Sequence, residues 1–228
     1  MQNAGTDFAT TQNIQDFTAT VMARSGMYGL LARIFQREPD VVLIQQLQQP
    51  LFVNALETAG ISSEALMLHT PTEKLLEALS LEYTRLFVGP GPHLSPHESV
   101  YREDGNARLW GESTAKVKAF IESCGFGFIT DHQTIPDHIS VELEFMQAIT
   151  AIEAQARKSG DREAESRCLK IESLFICEHL GRWVTIFCKK ITSDAKHPFY
   201  KEMANLVCEF IEKEKCDLNE NQNCHCSA

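Results

Sequence analysis

Thr70 to Pro90 reads TPTEKLLEALSLEYTRLFVGP. Its apolar residues Leu75, Leu76, Leu79, Tyr83, Leu86 and Phe87 recur mostly at steps of three and four, the spacing that gathers side chains on one stripe of an α-helix. The start is marked as clearly as the stripe. Thr70 is expected as the N-cap, Pro71 at the first helical position, and Glu73 as the return partner of a capping box. Gly89-Pro90 ends the helix, since proline has no N–H with which to continue it.

The same period extends in both directions. Upstream, Phe17, Val21, Tyr28, Leu31 and Phe35 define a long first helix stopped by Pro39, followed by short helices over 40–48 and 51–59. Downstream, a helix from Glu112 carries Val117, Phe120, Ile121 and Cys124 and stops at Gly125. Pro136-Asp137 opens another, with Ile139, Leu143, Met146 and Ile149 on its core face, running toward Gly160. After Asp161, Cys168, Ile171, Phe175 and Leu180 face inward, and Trp183, Ile186 and Phe187 continue the stripe beyond Gly181 or after a kink there. Pro198 opens the last helix, which places Phe199, Met203, Leu206, Val207 and Phe210 together. No segment of useful length alternates with period two, so the expected fold is all-α. It is expected as one helical domain over 1–214, with a hinge near 126–136 between two helical halves, and a polar, flexible, cysteine-containing tail over 215–228.

A chain of 228 residues can bury about 70% of its unfolded surface without covalent staples. The 8 cysteines form no even ladder of spacings, which excludes a disulfide scaffold. Lys+Arg 21 against Asp+Glu 31 gives −10, a balance that disfavours nucleic acid and anionic membranes and favours a cationic partner. Residues 1–15 lack the basic and apolar regions of a secretory signal, and no stretch approaches the ~18 apolar residues of a membrane span. A cytoplasmic location without membrane insertion is expected.

Several chemistries fail on spacing. There is no GxxxxGK[ST], and Pro90 and Pro92 remove backbone donors that a phosphate cradle needs. Glu-x-x-His, HExxH and G-x-S-x-G are also absent. Asp137-His138 invites a catalytic reading, but helical neighbours diverge by about 100° and cannot form a dyad alone. Two readings stay open: Asp137 complements the positive end of its helix while His138 stays neutral or pairs with Glu142, or the pair anchors a ligand beneath the long loops 88–105 and 126–135. The Tyr83, Leu86 and Phe87 stripe is likewise either core or the floor of a groove. Cys168, Cys177, Cys188 and Cys208 lie in helical stretches as small apolar fillers. Cys216, Cys224, His225 and Cys226 supply soft donors in the tail, so the alternative function is a small helical metal-binding protein using that tail or the loop histidines His93, His97 and His138.

Five motifs stand in register: EYTRLFVGP at 82–90, SVY at 99–101, LWGEST at 109–114, IPDHI at 135–139 and ELEFM at 142–146. With His179-Leu180, Trp183, Phe187 and Pro198-Phe199-Tyr200 behind them, the sequence resembles the TorD/DmsD family of redox-enzyme maturation chaperones over roughly residues 22–211. The resemblance implies an all-helical TorD-like fold, no enzymatic activity and no cofactor. It implies a cytoplasmic chaperone whose partners are the twin-arginine signal peptide and the apo catalytic subunit of a molybdopterin oxidoreductase, and which delays export until the cofactor is inserted. Carried over residue by residue, the signal-peptide-binding positions are Tyr83, Leu86, Phe87, Pro96, Asp137 and His138. His97 stands where the family has an aromatic residue after the loop proline, and Ile135 where an acidic residue often precedes Pro-Asp-His. A leader that joins two guanidinium groups to an apolar segment calls for an apolar groove edged with carboxylates, and Asp137 and Glu98 are expected to supply them. Either a monomer or a domain-swapped homodimer fits the long loops.

Overall fold

The computed structural model describes the backbone of residues 4–58, 60–102, 109–128 and 135–222, with side chains described between 18 and 218 except at 55 and 58. Its helices are α1 (Ala4–Gln36), α2 (Val41–Leu47), α3 (Pro50–Thr58), α4 (Thr72–Tyr83), α5 (Glu112–Ser123), α6 (Ile139–Ser159), α7 (Arg162–Phe175), α8 (Gly181–Asp194) and α9 (Pro198–Gln222). The fold is all-α. Among the described residues the only β-pairing is an isolated bridge between His97 and His138.

Local chemistry accounts for some helix starts. Asp40 caps α2 by accepting the Leu43 N–H at 2.9 Å, and Asp161 caps α7 by accepting the Ala164 N–H at 2.9 Å. The start of α4 departs from expectation. Thr70 forms no capping box; Pro71 precedes the helix without a side-chain cap bond. The entry is held instead by Gln48, whose amide donates to the carbonyls of Leu68 and Thr70 at 2.8 and 2.6 Å and accepts from the Thr72 hydroxyl at 2.7 Å. These bonds pin the segment before α4 and its first hydroxyl, while the first N–H groups of the helix take no side-chain cap.

Two helices widen locally into π turns. The Gly89 N–H reaches back five residues to the Thr84 carbonyl at 2.6 Å, closing a π turn over Thr84–Val88 directly after α4. A second π turn, Ile176–Leu180, joins α7 to α8 just before Gly181. A Cβ at Gly181 would lie 2.6 Å from the Ile176 carbonyl oxygen, so the turn admits no larger residue.

The two halves of the chain share one core that runs from Tyr28 to Leu218. α1 lies along α6 so closely that a Cβ at Gly29 would meet the Gln147 amide at 2.4 Å, and the Ser25 hydroxyl donates to the Gln147 carbonyl at 3.0 Å. Within this packing Arg24 of α1 donates to Glu153 of α6, Glu172 of α7 and Glu214 of α9 at 2.8, 2.5 and 2.6 Å. Burial opposes the Arg24 charge, but its hydrogen bonds to Glu214 and the three carboxylates raise its pKa. These contacts extend order beyond the expected tail boundary: α9 runs to Gln222, and Glu214 and Leu218 are buried. The boundary at 215 therefore falls inside a helix that packs mainly on α8 and is tied to α1 through Glu214. Cys216 is exposed, while Cys224, His225 and Cys226 lie outside the described residues.

Candidate functional site

Two loop segments meet at the start of α6. The Glu98 N–H donates to the Asp137 carbonyl and the Ile139 N–H to the Pro96 carbonyl, each at 2.9 Å, so that His97 and His138 face each other as an antiparallel pair. Their rings cross edge to face with centroids 5.0 Å apart. The Asp137 carboxylate turns away to Ser99, and His138 is the cap, its Nδ1 accepting the Ser140 N–H at 3.1 Å. That nitrogen carries no proton. Burial, and then the neighbouring His97, push the His138 pKa down to about 3, so the ring is neutral. Burial also lowers His97, against the opposing pull of the Asp137 charge.

The carboxylates lie beneath this pairing. Asp137 is fully buried; its Oδ2 accepts the Ser99 N–H at 2.8 Å and its Oδ1 has no partner. Glu98, also buried, lies 3.1 Å from His179 Nδ1 and 3.4 Å from the Arg102 guanidinium. Glu142, a turn into α6, accepts the Trp183 indole N–H at 3.2 Å and not a bond from His138. Burial first, then the charges of Glu98 and Asp137, raise its pKa well above the ordinary 4.5.

Tyr83, Leu86 and Phe87 are core residues, not the walls of an open groove. The Tyr83 hydroxyl donates to the Phe35 carbonyl at 3.1 Å, and burial raises its pKa to about 12. The Phe87 ring packs against Phe35, Phe187 and Tyr200, with centroids 6.1 Å away in each case. Phe187 in turn contacts Trp183 and Tyr101, and Trp183 carries the indole bonded to Glu142. The aromatic stripe thus reaches the carboxylates through a continuous chain of rings. Leu86 tethers the loop, its carbonyl accepting the Leu94 N–H at 2.7 Å.

The polar residues within the EYTRLF motif have a separate task. Glu82 Oε1 accepts the backbone N–H groups of Lys196 and His197 at 2.5 and 3.2 Å. Arg85 grips both oxygens of Glu82 at 2.8 and 2.7 Å and donates to the Asp194 carbonyl at 2.8 Å. Together they clamp the turn between α8 and α9 onto the π turn that carries Leu86 and Phe87.

The chain is similar to known proteins in sequence and in fold. Residues 48–189 match the profile of the nitrate reductase delta subunit family. The chain belongs to that family. It is similar to the chaperone protein TorD of Shewanella loihica, 26% identical over 206 residues that span 84% of this chain and 91% of the relative. It is also similar to the chaperone protein TorD of Psychrobacter sp., 22% identical over 223 residues, 91% of this chain and 97% of that one. In fold it is similar to a putative redox enzyme maturation protein from Archaeoglobus fulgidus, with a TM-score of 0.52 and 22% identity over 83% of this chain and 93% of that one. The protein is a TorD-family redox-enzyme maturation chaperone, and the relatives are named as chaperones, not enzymes.

In this chaperone the loop pairing brings Pro96, His97, Glu98, Asp137 and His138 together, while Tyr83, Leu86 and Phe87 support them from the core. Glu142, His179, Trp183 and Arg102 complete the cluster and were not singled out from sequence as site residues. Their signal was a pattern of polar groups inside apolar helical stripes, which periodicity assigns to packing. Among the described residues no group of three or more His, Cys, Asp or Glu side chains is placed to hold a metal, and no helix is long and apolar enough to cross a membrane.

Proposed function

We propose that the chaperone binds the twin-arginine signal peptide of a molybdopterin oxidoreductase in the cytoplasm and holds the apo catalytic subunit back from export until its cofactor is inserted. The observation that carries this reading is the His97–His138 pairing, which closes a proline-rich loop over carboxylates that retain an unpartnered oxygen. Pro96, His97 and His138 meet the leader first. Opening of their pairing gives its guanidinium groups access to Asp137 and Glu98. Tyr83, Leu86 and Phe87 fix the base of the loop and present its apolar side to the segment after the arginines. Binding works by mass action, because an occupied signal is hidden from the export machinery.

Calorimetry with a synthetic peptide that joins two consecutive arginines to an apolar run tests the reading. Micromolar affinity, roughly −8 kcal/mol, is expected. It weakens with salt, with Asp137→Asn, and on replacing both arginines by lysine. Equal affinity for the arginine and lysine peptides overturns recognition of the guanidinium pair.

A further inference from the structure

The hairpin of α8 and α9 carries two cysteines that leader binding leaves unused. Two side-chain bonds fix how its arms face each other: the Thr185 hydroxyl donates to Glu212 at 3.1 Å, and the Thr192 hydroxyl to Asn205 at 3.4 Å. Thr185 and Thr192 stand seven residues apart on α8, as do Asn205 and Glu212 on α9. Seven residues is close to two helical turns, so each pair marks one stripe, and the two bonds turn the stripes toward each other. Cys188 lies on the first stripe, three residues after Thr185, and Cys208 on the second, three residues after Asn205. Because the arms run antiparallel, both cysteines fall between the two bonds and within one residue of the same level.

Both are free thiols. Cys188 is buried in the core, and Cys208 is half-buried against it. Their proximity also shows in the electrostatics, since burial first, and then Cys208, raise the pKa of the Cys188 thiol. A small apolar filler accounts for each cysteine singly. It does not account for the two meeting at one level of a hairpin, the placement that a disulfide between neighbouring helices requires.

We propose that Cys188 and Cys208 form a modification site, a thiol pair that a low-molecular-weight disulfide such as glutathione disulfide oxidises to a covalent bond between α8 and α9. The more accessible Cys208 reacts first. Its thiolate attacks one sulfur of the oxidant, forms a mixed disulfide and releases one small thiol. Cys188 then gives up its proton and attacks the Cys208 sulfur, expelling the second small thiol. The two cysteines lose two electrons and two protons, which the oxidant takes up as its two thiols. The bond ties to α9 the helix whose Trp183 indole holds Glu142, and so staples the wall behind the paired histidines. In a reducing compartment the pair stays open, and reduction by a thiol reverses the oxidation.

The test treats the full folded chain with glutathione disulfide, blocks the remaining thiols with iodoacetamide in denaturant, and maps tryptic fragments by mass spectrometry without reduction. Trypsin leaves Cys188 as the only cysteine of fragment 183–189 and Cys208 as the only cysteine of fragment 202–213. The expected product is these two fragments joined by a bond that dithiothreitol cleaves. Cys208→Ser, a change at the more accessible position, is expected to abolish that product and to leave Cys188 alkylated; circular dichroism checks that the variant folds. Recovery of both fragments from oxidised wild type as separate alkylated or glutathione-bearing species overturns the proposal. So does a fragment 183–189 joined to any other cysteine, or a cross-link that forms only when the chain is oxidised in urea.

Discussion

Replacing Arg24 by methionine removes the cation that joins α1 to α6, α7 and α9 while keeping most of its apolar stem. Its guanidinium makes five hydrogen bonds to Glu153, Glu172 and Glu214, whose side chains are 0%, 0% and 4% exposed. Glu153 keeps Arg157, which bonds it at 2.7 Å, and Glu214 keeps the Tyr28 hydroxyl at 3.0 Å. Glu172 loses its charged partner. Above about pH 8, where Glu172 is ionised beside Arg24, removing one side of this buried pair costs about 3–5 kcal/mol, a large part of the 5–15 kcal/mol or so that holds a typical domain together. Urea unfolding should show this as a lower midpoint at unchanged slope. Adding Glu172→Gln and Glu214→Gln to the same chain should recover more than half of the loss, because the neutral amides need no counter-ion. A cost below about 1 kcal/mol, the range of exposed pairs, would show that the carboxylates are solvated and that the cluster does not clamp the helices.

Glu172 also gives that cluster a pH signature. Burial first, against the opposing charge of Arg24, raises its pKa from 4.5 to about 8, so its contribution is full below 4.5 and is lost as pH rises through about 8. Across that window wild type should lose stability relative to Glu172→Gln in matched urea titrations; parallel profiles refute the shift. Gly181→Ala forces a Cβ to 2.6 Å from the Ile176 carbonyl oxygen and should cost about 1–3 kcal/mol in thermal unfolding; no loss would mean that the π turn relaxes freely. Tyr83→Phe leaves the Phe35 carbonyl unpaired and should cost about 1–3 kcal/mol with the ring packing intact; an unchanged melting temperature would show that the hydroxyl bond contributes nothing. His138 should show no imidazole titration by NMR between pH 5 and 8, given a pKa near 3; a midpoint in that range would mean that it is solvated and does not cap α6 as a neutral ring.

The helical stripes were legible because each is written in consecutive residues. Leu75, Leu79, Tyr83, Leu86 and Phe87 are all buried, as their spacing requires. The motif registers also brought Asp137, His138, Pro96 and Tyr83 forward together. What spacing left open was orientation: the stripe of Tyr83, Leu86 and Phe87 fitted both a core and a groove, and the ring contacts to Phe35, Phe187 and Tyr200 place it in the core. Asp137 looked like a helix-end carboxylate because it follows Pro136. Instead it turns toward Ser99, whose N–H has no helical partner, and leaves the cap to His138.

Sequence alone determined the all-α class, the order of the helices and the family, since period, punctuation and motif order are local properties of the chain. Tertiary structure decided which polar groups meet. Arg24 finds its carboxylates on three other helices, Gln48 holds the segment before α4, and the Trp183 indole of α8 reaches Glu142 of α6. Each of these depends on a buried polar group finding its partner across the core, and that demand is met by the packing of distant helices, which no local pattern records.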